Sequence, residues 1–171
     1  IPRHVSPAGG NLAHSTGLNF VKRIYLDYNA TTPVHPDVMK AMSPYYADEF
    51  GNASSLHSFG RKAREAVEDA RESVARFIGP CESVDIVFTS GGTESDNLAV
   101  KGAAYALKDK GRHIITSKAE HLAVLNPCEF LEKNGYEVTY ISVDEYGIVD
   151  IEELKGAVRD DTILISVIFA N

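Results

Sequence analysis

The sequence predicts an α/β fold, a parallel-rich sheet with helices on both faces, and three observations carry that prediction. From Ile86 onward, short β-branched runs alternate with longer stretches of helical apolar period. The connections between them are short, and Gly111, Gly135 and Gly147 punctuate them. A chain of 171 residues, 44% hydrophobic and 24% charged, has the composition and length of one domain with a buried core.

Residues 1–22 hold Pro2, Pro7, Gly9, Gly10 and Gly17 among scattered Ser, Asn and His with no period, which predicts a flexible leader before a folded part over 23–171. The leader lacks a continuous apolar core of signal-peptide length, and Arg3 is its only Arg or Lys before Lys22. A first residue of Ile rather than Met predicts a processed or partial chain. Ile24-Tyr25-Leu26 predicts a short strand or an extended segment, and Asp27 to Pro33 a polar turn. Pro36 suits the first turn of a helix that runs through Val38, Met39 and Met42 towards Tyr45-Tyr46. Phe50 to Ser55 is a loop. Ala63, Ala66, Val67, Ala70, Val74, Phe77 and Ile78 then share one helical stripe, with Arg64, Glu65, Glu68, Arg71, Glu72 and Arg76 on a solvated face, and Gly79-Pro80 ends this long amphipathic helix.

Ile86-Val87-Phe88 predicts a strand that breaks at Ser90-Gly91-Gly92 and gives way to a helix over Glu94 to Lys110, stopped by Gly111. The expected order continues with strand His113 to Thr116, helix Leu122 to Asn134, strand Glu137 to Ser142, helix Ile151 to Val158 and strand Thr162 to Phe169. Such units are right-handed βαβ crossovers, and ligands of the sheets they build sit beyond the carboxyl ends of the strands. Ser90–Thr93, Ser117–His121 and Asn171 all fall there.

A glycine turn entering a helix makes a phosphate cup, because the backbone approaches a ligand closely and the first-turn N–H groups, with about half a positive charge from the macrodipole, face an anion. Thr93 adds a hydroxyl. The same residues have a plainer reading, in which Thr93 and Asp96 form a capping box and Gly91-Gly92 is an ordinary connection. The Gly-Lys-Ser/Thr ending of a Walker loop and the Gly-x-Gly-x-x-Gly fingerprint are both missing. An imidazole at a strand's carboxyl end, such as His121, stacks on a planar ring, moves a proton, or simply starts the next helix.

A net charge of −7 without a basic block argues against nucleic-acid partners and against anionic membrane surfaces. No apolar run approaches the roughly 18 residues of a membrane span. Cys81 and Cys128 share no metal-type spacing, nor do His4 and His14, so the sequence predicts no metal site and two free thiols in a reducing, cytoplasmic compartment.

Four stretches carry a family resemblance: Ile24 to Pro33, Phe50 to His57, Val87 to Asn97 and Ile115 to His121. In this order they resemble the cysteine desulfurases, pyridoxal 5'-phosphate enzymes of the class V aminotransferase type that supply sulfur for iron–sulfur clusters. The similarity runs from about Arg23 to the last residue. It implies the amino-terminal part of a PLP-dependent transferase large domain, incomplete over 23–171. It implies contacts from Gly92 and Thr93 to the cofactor phosphate, and a His121 that stacks on the pyridine ring and assists proton transfer. It places Asp27–Pro33 and Gly51–His57 near the active site or a subunit interface. It further implies L-cysteine as substrate, L-alanine and a protein persulfide as products, a homodimer, and an iron–sulfur scaffold protein as sulfur acceptor. The cofactor-binding lysine, the aspartate at the pyridine nitrogen and the sulfur-carrying cysteine belong to sequence after Asn171, so Cys81, Cys128, Lys101 and Lys118 take none of these roles and the 171 residues alone are expected to be inactive. The competing expectations are a shortened protein that binds phosphate compounds or is completed by a partner, with an exposed and adhesive Thr162–Phe169, and a selenocysteine lyase relative.

Overall fold

A computed structural model describes residues 24–28 and 30–170, so the leader over 1–22, Arg23, Asn29 and Asn171 lie outside the described residues. The chain divides into two compact units, Ile1–Val67 and Glu68–Asn171.

In the first unit, α1 (Pro36–Met42) starts with Pro36 in its first turn and with His35 as its cap, the ring Nδ1 accepting from the Asp37 N–H at 3.3 Å. The single helix expected to reach Tyr45-Tyr46 is instead two, because Pro44 opens a separate α2 (Pro44–Ala47). A proline there has no N–H to give and its ring crowds the carbonyl four residues back, so α1 cannot run through it. Of the two readings open for Ile24–Leu26, the strand does not form, since the segment joins no ladder among the described residues. The division between the units falls within the long helix, α3 (Ser58–Ile78), whose 21 residues match the expected amphipathic helix.

The second unit holds the sheet. Arg71 of α3 departs from its expected place on a solvated face: it pairs with Glu68 at 3.3 Å, donates to the Ile86 carbonyl, and lies 4.9 Å over the Phe88 ring. The expected strand Ile86-Val87-Phe88 is accordingly absent; the segment is extended at Ile86 but pairs with none of the three strands. A β-branched run becomes a strand only where a neighbour supplies the ladder.

Next come α4 (Gly92–Ala106), β1 (His113–Ser117), α5 (Leu122–Glu132), β2 (Glu137–Ile141), α6 (Ile151–Ala157) and β3 (Thr162–Ser166). The α/β expectation holds: the sheet has order β2-β1-β3 with both pairings parallel. β1 is central and every one of its residues is buried, as parallel strands covered on both faces require. The chain moves from β1 out to β2 and then back past β1 to β3, so right-handed crossovers put α5 and α6 on opposite faces. Val100 and Ala104 of α4, Ile114 of β1, and Val124, Cys128 and Leu131 of α5 form the core on one face, closed by Tyr136, whose hydroxyl donates to the Ala104 carbonyl at 2.9 Å.

Two helix ends differ from expectation. α4 stops at Ala106 instead of Lys110, since residues 107–110 turn the chain into β1 and Gly111 N–H bonds back to the Leu107 carbonyl. α5 stops at Glu132 instead of Asn134. β3 ends at Ser166, short of Phe169, and leaves Ile165, Val167 and Phe169 exposed. Among the described residues no helix is long and apolar enough to cross a membrane, and no cluster of His, Cys, Asp and Glu could hold a metal ion.

Candidate functional site

The first part of the site is the start of α4. Thr93 is not its cap: the helix begins at Gly92, Gly91 is the cap residue, and no side chain caps the first turn. The capping box of Thr93 with Asp96 does not form, because Thr93 already lies within the helix. Only from Ser95, which donates to the Gly91 carbonyl at 3.1 Å, do the amides find a helical acceptor. The N–H groups of Gly92, Thr93 and Glu94 and the Thr93 hydroxyl therefore have no partner among the described residues. A Cβ at Gly91 or at Gly92 would meet nothing within 4 Å among the described residues, so the space beside these donors is open to them.

The loop is braced from behind. Thr89 Oγ1 contacts Ser95 Oγ at 2.7 Å and donates to the Gly91 carbonyl at 3.2 Å. Glu94 reaches back, its Oε2 accepting from both the N–H and the hydroxyl of Ser90 at 2.6 Å. Those two bonds hold the Glu94 carboxyl below its ordinary range, the side-chain bond first and the backbone bond second. Ser90 thus spends its donors on Glu94, and the donors left to a ligand are those of Gly92, Thr93 and Glu94.

The second part is the turn from β1 to α5. Lys118 N–H donates to the Ile141 carbonyl at 3.0 Å, and its ammonium to Ser142 Oγ at 3.1 Å. His121 caps α5, with Nδ1 accepting from the Ala123 N–H at 3.0 Å, and the residue is exposed. Because Nδ1 accepts, the neutral ring carries its proton on Nε2, the atom left to act outward. The helix-start reading of His121 is therefore correct, and it leaves the ring's chemistry available.

Topology puts both parts at one end of the sheet. α4 leads into the amino end of β1, so its own start lies towards the carboxyl end, and α5 starts just beyond that same end. The third expected contributor, Asn171, lies outside the described residues.

One residue of the site was missed by sequence reasoning. Glu120 is only 7% exposed, and its Oε1 accepts from the Ser117 hydroxyl at 3.1 Å and from the Ile168 N–H. The spacing Ser117-x-x-Glu120, a hydroxyl three residues before a carboxylate, was the available signal.

Cys128 is fully buried, and burial pushes its thiol up to about 11, which leaves almost no thiolate at neutral pH. Lys101 sits over the Phe130 ring at 4.6 Å and Lys118 is engaged with Ser142.

The donor set suits a phosphate ester: three unpartnered backbone amides at a helix start, one hydroxyl, and two glycines beside them. An imidazole at the same end suits an attached planar ring. Comparison with known proteins identifies the family. The Aminotransferase class-V family profile matches residues 24–171. Cysteine desulfurase IscS of Dictyoglomus turgidum is 58% identical over 150 residues, covering 88% of this chain and 38% of that protein. A solved NifS-like protein superposes with a TM-score of 0.80 at 41% identity, covering 85% of this chain and 40% of that one. SspA, solved in complex with cysteine, gives a TM-score of 0.77 at 41% identity over 84% of this chain and 41% of its own. This chain thus spans about two fifths of the length of the proteins it matches.

Proposed function

This chain belongs to the aminotransferase class-V family, and on that premise we propose that the whole protein is a cysteine desulfurase, which uses pyridoxal 5'-phosphate to move sulfur from L-cysteine to a protein thiol. The products are L-alanine and a persulfide, and the persulfide sulfur goes to a scaffold protein for iron–sulfur clusters. The working assembly is a homodimer in the cytoplasm. The substrate assignment is supported by the relatives' names and by the cysteine bound to the similar SspA.

When bound, the cofactor supplies an electron sink at the substrate Cα, which is what loosens the carbon–sulfur bond. The present residues supply position. The amides of Gly92, Thr93 and Glu94 bind phosphate oxygens, aided by the positive end of α4, and the Thr93 hydroxyl donates a further bond. His121 presents its face to the pyridine ring and holds or releases a proton at Nε2, since Nδ1 is occupied by Ala123.

The observation that carries this reading is the set of donors at Gly92, Thr93 and Glu94 that have no partner among the described residues, beside the open space at Gly91 and Gly92. Its test is a titration of the purified whole protein, stripped of cofactor, with pyridoxal 5'-phosphate and with pyridoxal. The phosphate form should bind far more tightly, and Thr93→Val should weaken it by about ten- to hundredfold, the loss of one bond to a charged acceptor. Equal affinity for the two compounds, or no release of alanine from L-cysteine, would overturn the reading.

A further inference from the structure

Glu120 is a carboxylate that is buried and, among the described residues, has no countercharge. No Lys, Arg or His lies within ion-pair distance of it among the described residues, and its two partners are a hydroxyl and a backbone amide. Removing a charge from water on such terms is costly, and a neutral side chain would fill the same space with less penalty. What the carboxylate gains is reach. Its partners are Ser117, at the carboxyl end of β1, and Ile168, two residues beyond β3. The Ile168 N–H turns to Glu120 after the ladder with β1 has ended at Ser166.

The turn from 117 to 121 is thereby fastened on both sides. Lys118 N–H binds the Ile141 carbonyl of β2, Glu120 binds the segment leaving β3, and His121 follows directly as the cap of α5. We propose that Glu120 is a positioning residue, whose buried carboxylate locks the turn carrying His121 to the exit of β3 and so holds the imidazole in one orientation and one tautomer. The proposal rests on the desulfurase reading for the reaction that the ring serves. It assigns the ring's placement to a hydrogen-bonding function of Glu120, distinct from its share in the stability of the fold.

The experiment observes His121 itself. In the whole protein without cofactor, with nitrogen-15 in its histidines and at a pH where the ring is neutral, the two His121 ring nitrogens should give widely separated signals with the proton on Nε2. In Glu120→Ala the two signals should move towards each other as the tautomers mix. Glu120→Gln keeps an acceptor oxygen at the same reach and should keep the separation. Glu120→Asp, one methylene short of Ile168, should behave like the alanine variant and carries the test if that variant does not fold. With cofactor loaded, both disruptive variants should lower kcat by about ten- to hundredfold while KM stays within about threefold, as expected for a displaced reacting group. A folded Glu120→Ala or Glu120→Asp with His121 signals as in the wild type overturns the proposal, and so does a glutamine variant that mixes its tautomers like alanine. A wild-type protein that releases no alanine overturns the desulfurase reading instead, and the ring signals still decide the role of Glu120.

Discussion

At the scale of the residue, His113 shows how much a single position can join. It is buried at the start of β1, with Nδ1 2.7 Å from the Thr162 hydroxyl of β3 and Nε2 2.8 Å from the Thr139 hydroxyl of β2. Burial holds its pKa below the ordinary value of 6.5; the nearby Arg159 adds to the depression, and Asp161 and Glu137 oppose it. The folded state then binds fewer protons than the unfolded one between the depressed value and 6.5. Stability from this residue is complete above 6.5 and is lost as pH falls from there through the folded value. The urea midpoint of the whole protein should therefore fall more steeply on acidification than that of His113→Gln, and parallel pH profiles would remove His113 from the cause. The glycine turn and helix start at Gly92 and Thr93 were legible from a local pattern. His113 and Glu120 were not, since a strand histidine and a turn glutamate look alike whether or not a distant partner waits for them.

Elements were legible wherever their periodicity expressed a packed face. β1, β2 and α6 fall within a residue of their expected bounds. The failures have two causes, a breaker inside an expected helix and a ladder partner that lies elsewhere in the chain. Pro44 divides a helix that hydrophobic pattern alone would continue. Ile86–Phe88 has the composition of a strand and no ladder to join. The entrance to β1 is held by a close approach: a Cβ on Gly111 would stand 2.1 Å from the Asp161 carbonyl oxygen, where only backbone could yield. Gly111→Ala should destabilise the protein by about 1–3 kcal/mol through overpacking, read as a lower urea midpoint. An unchanged midpoint would mean that the entrance to β1 moves freely and that the sheet does not depend on this contact.

At the scale of the whole molecule, the sheet offers an edge among the described residues. β3 pairs with β1 on one side, and Ile165, Val167 and Phe169 are exposed along and beyond it. Apolar, β-branched edges of this kind invite pairing, and soluble proteins cover them. The length of the matched relatives agrees, because this chain spans about two fifths of them. The intact mass of the protein as it occurs in its source should accordingly be at least about twice the 18.6 kDa calculated here, the size of a two-domain chain. A mass near 18.6 kDa would take away the lysine and cysteine that desulfurase chemistry needs, and with them the proposed activity.

Taken alone, the sequence determined the alternation of strands and helices, the parallel class of the sheet and the glycine turn before Thr93. These follow from side-chain period, turn chemistry and helix-start chemistry, which act over a few residues. Tertiary structure decided the strand order β2-β1-β3, the missing ladder at Ile86–Phe88, the histidine clamp across three strands, and the tie between Glu120 and Ile168. The last two join residues 49 and 48 positions apart, and no local pattern encodes which donor a buried acceptor will meet at that separation.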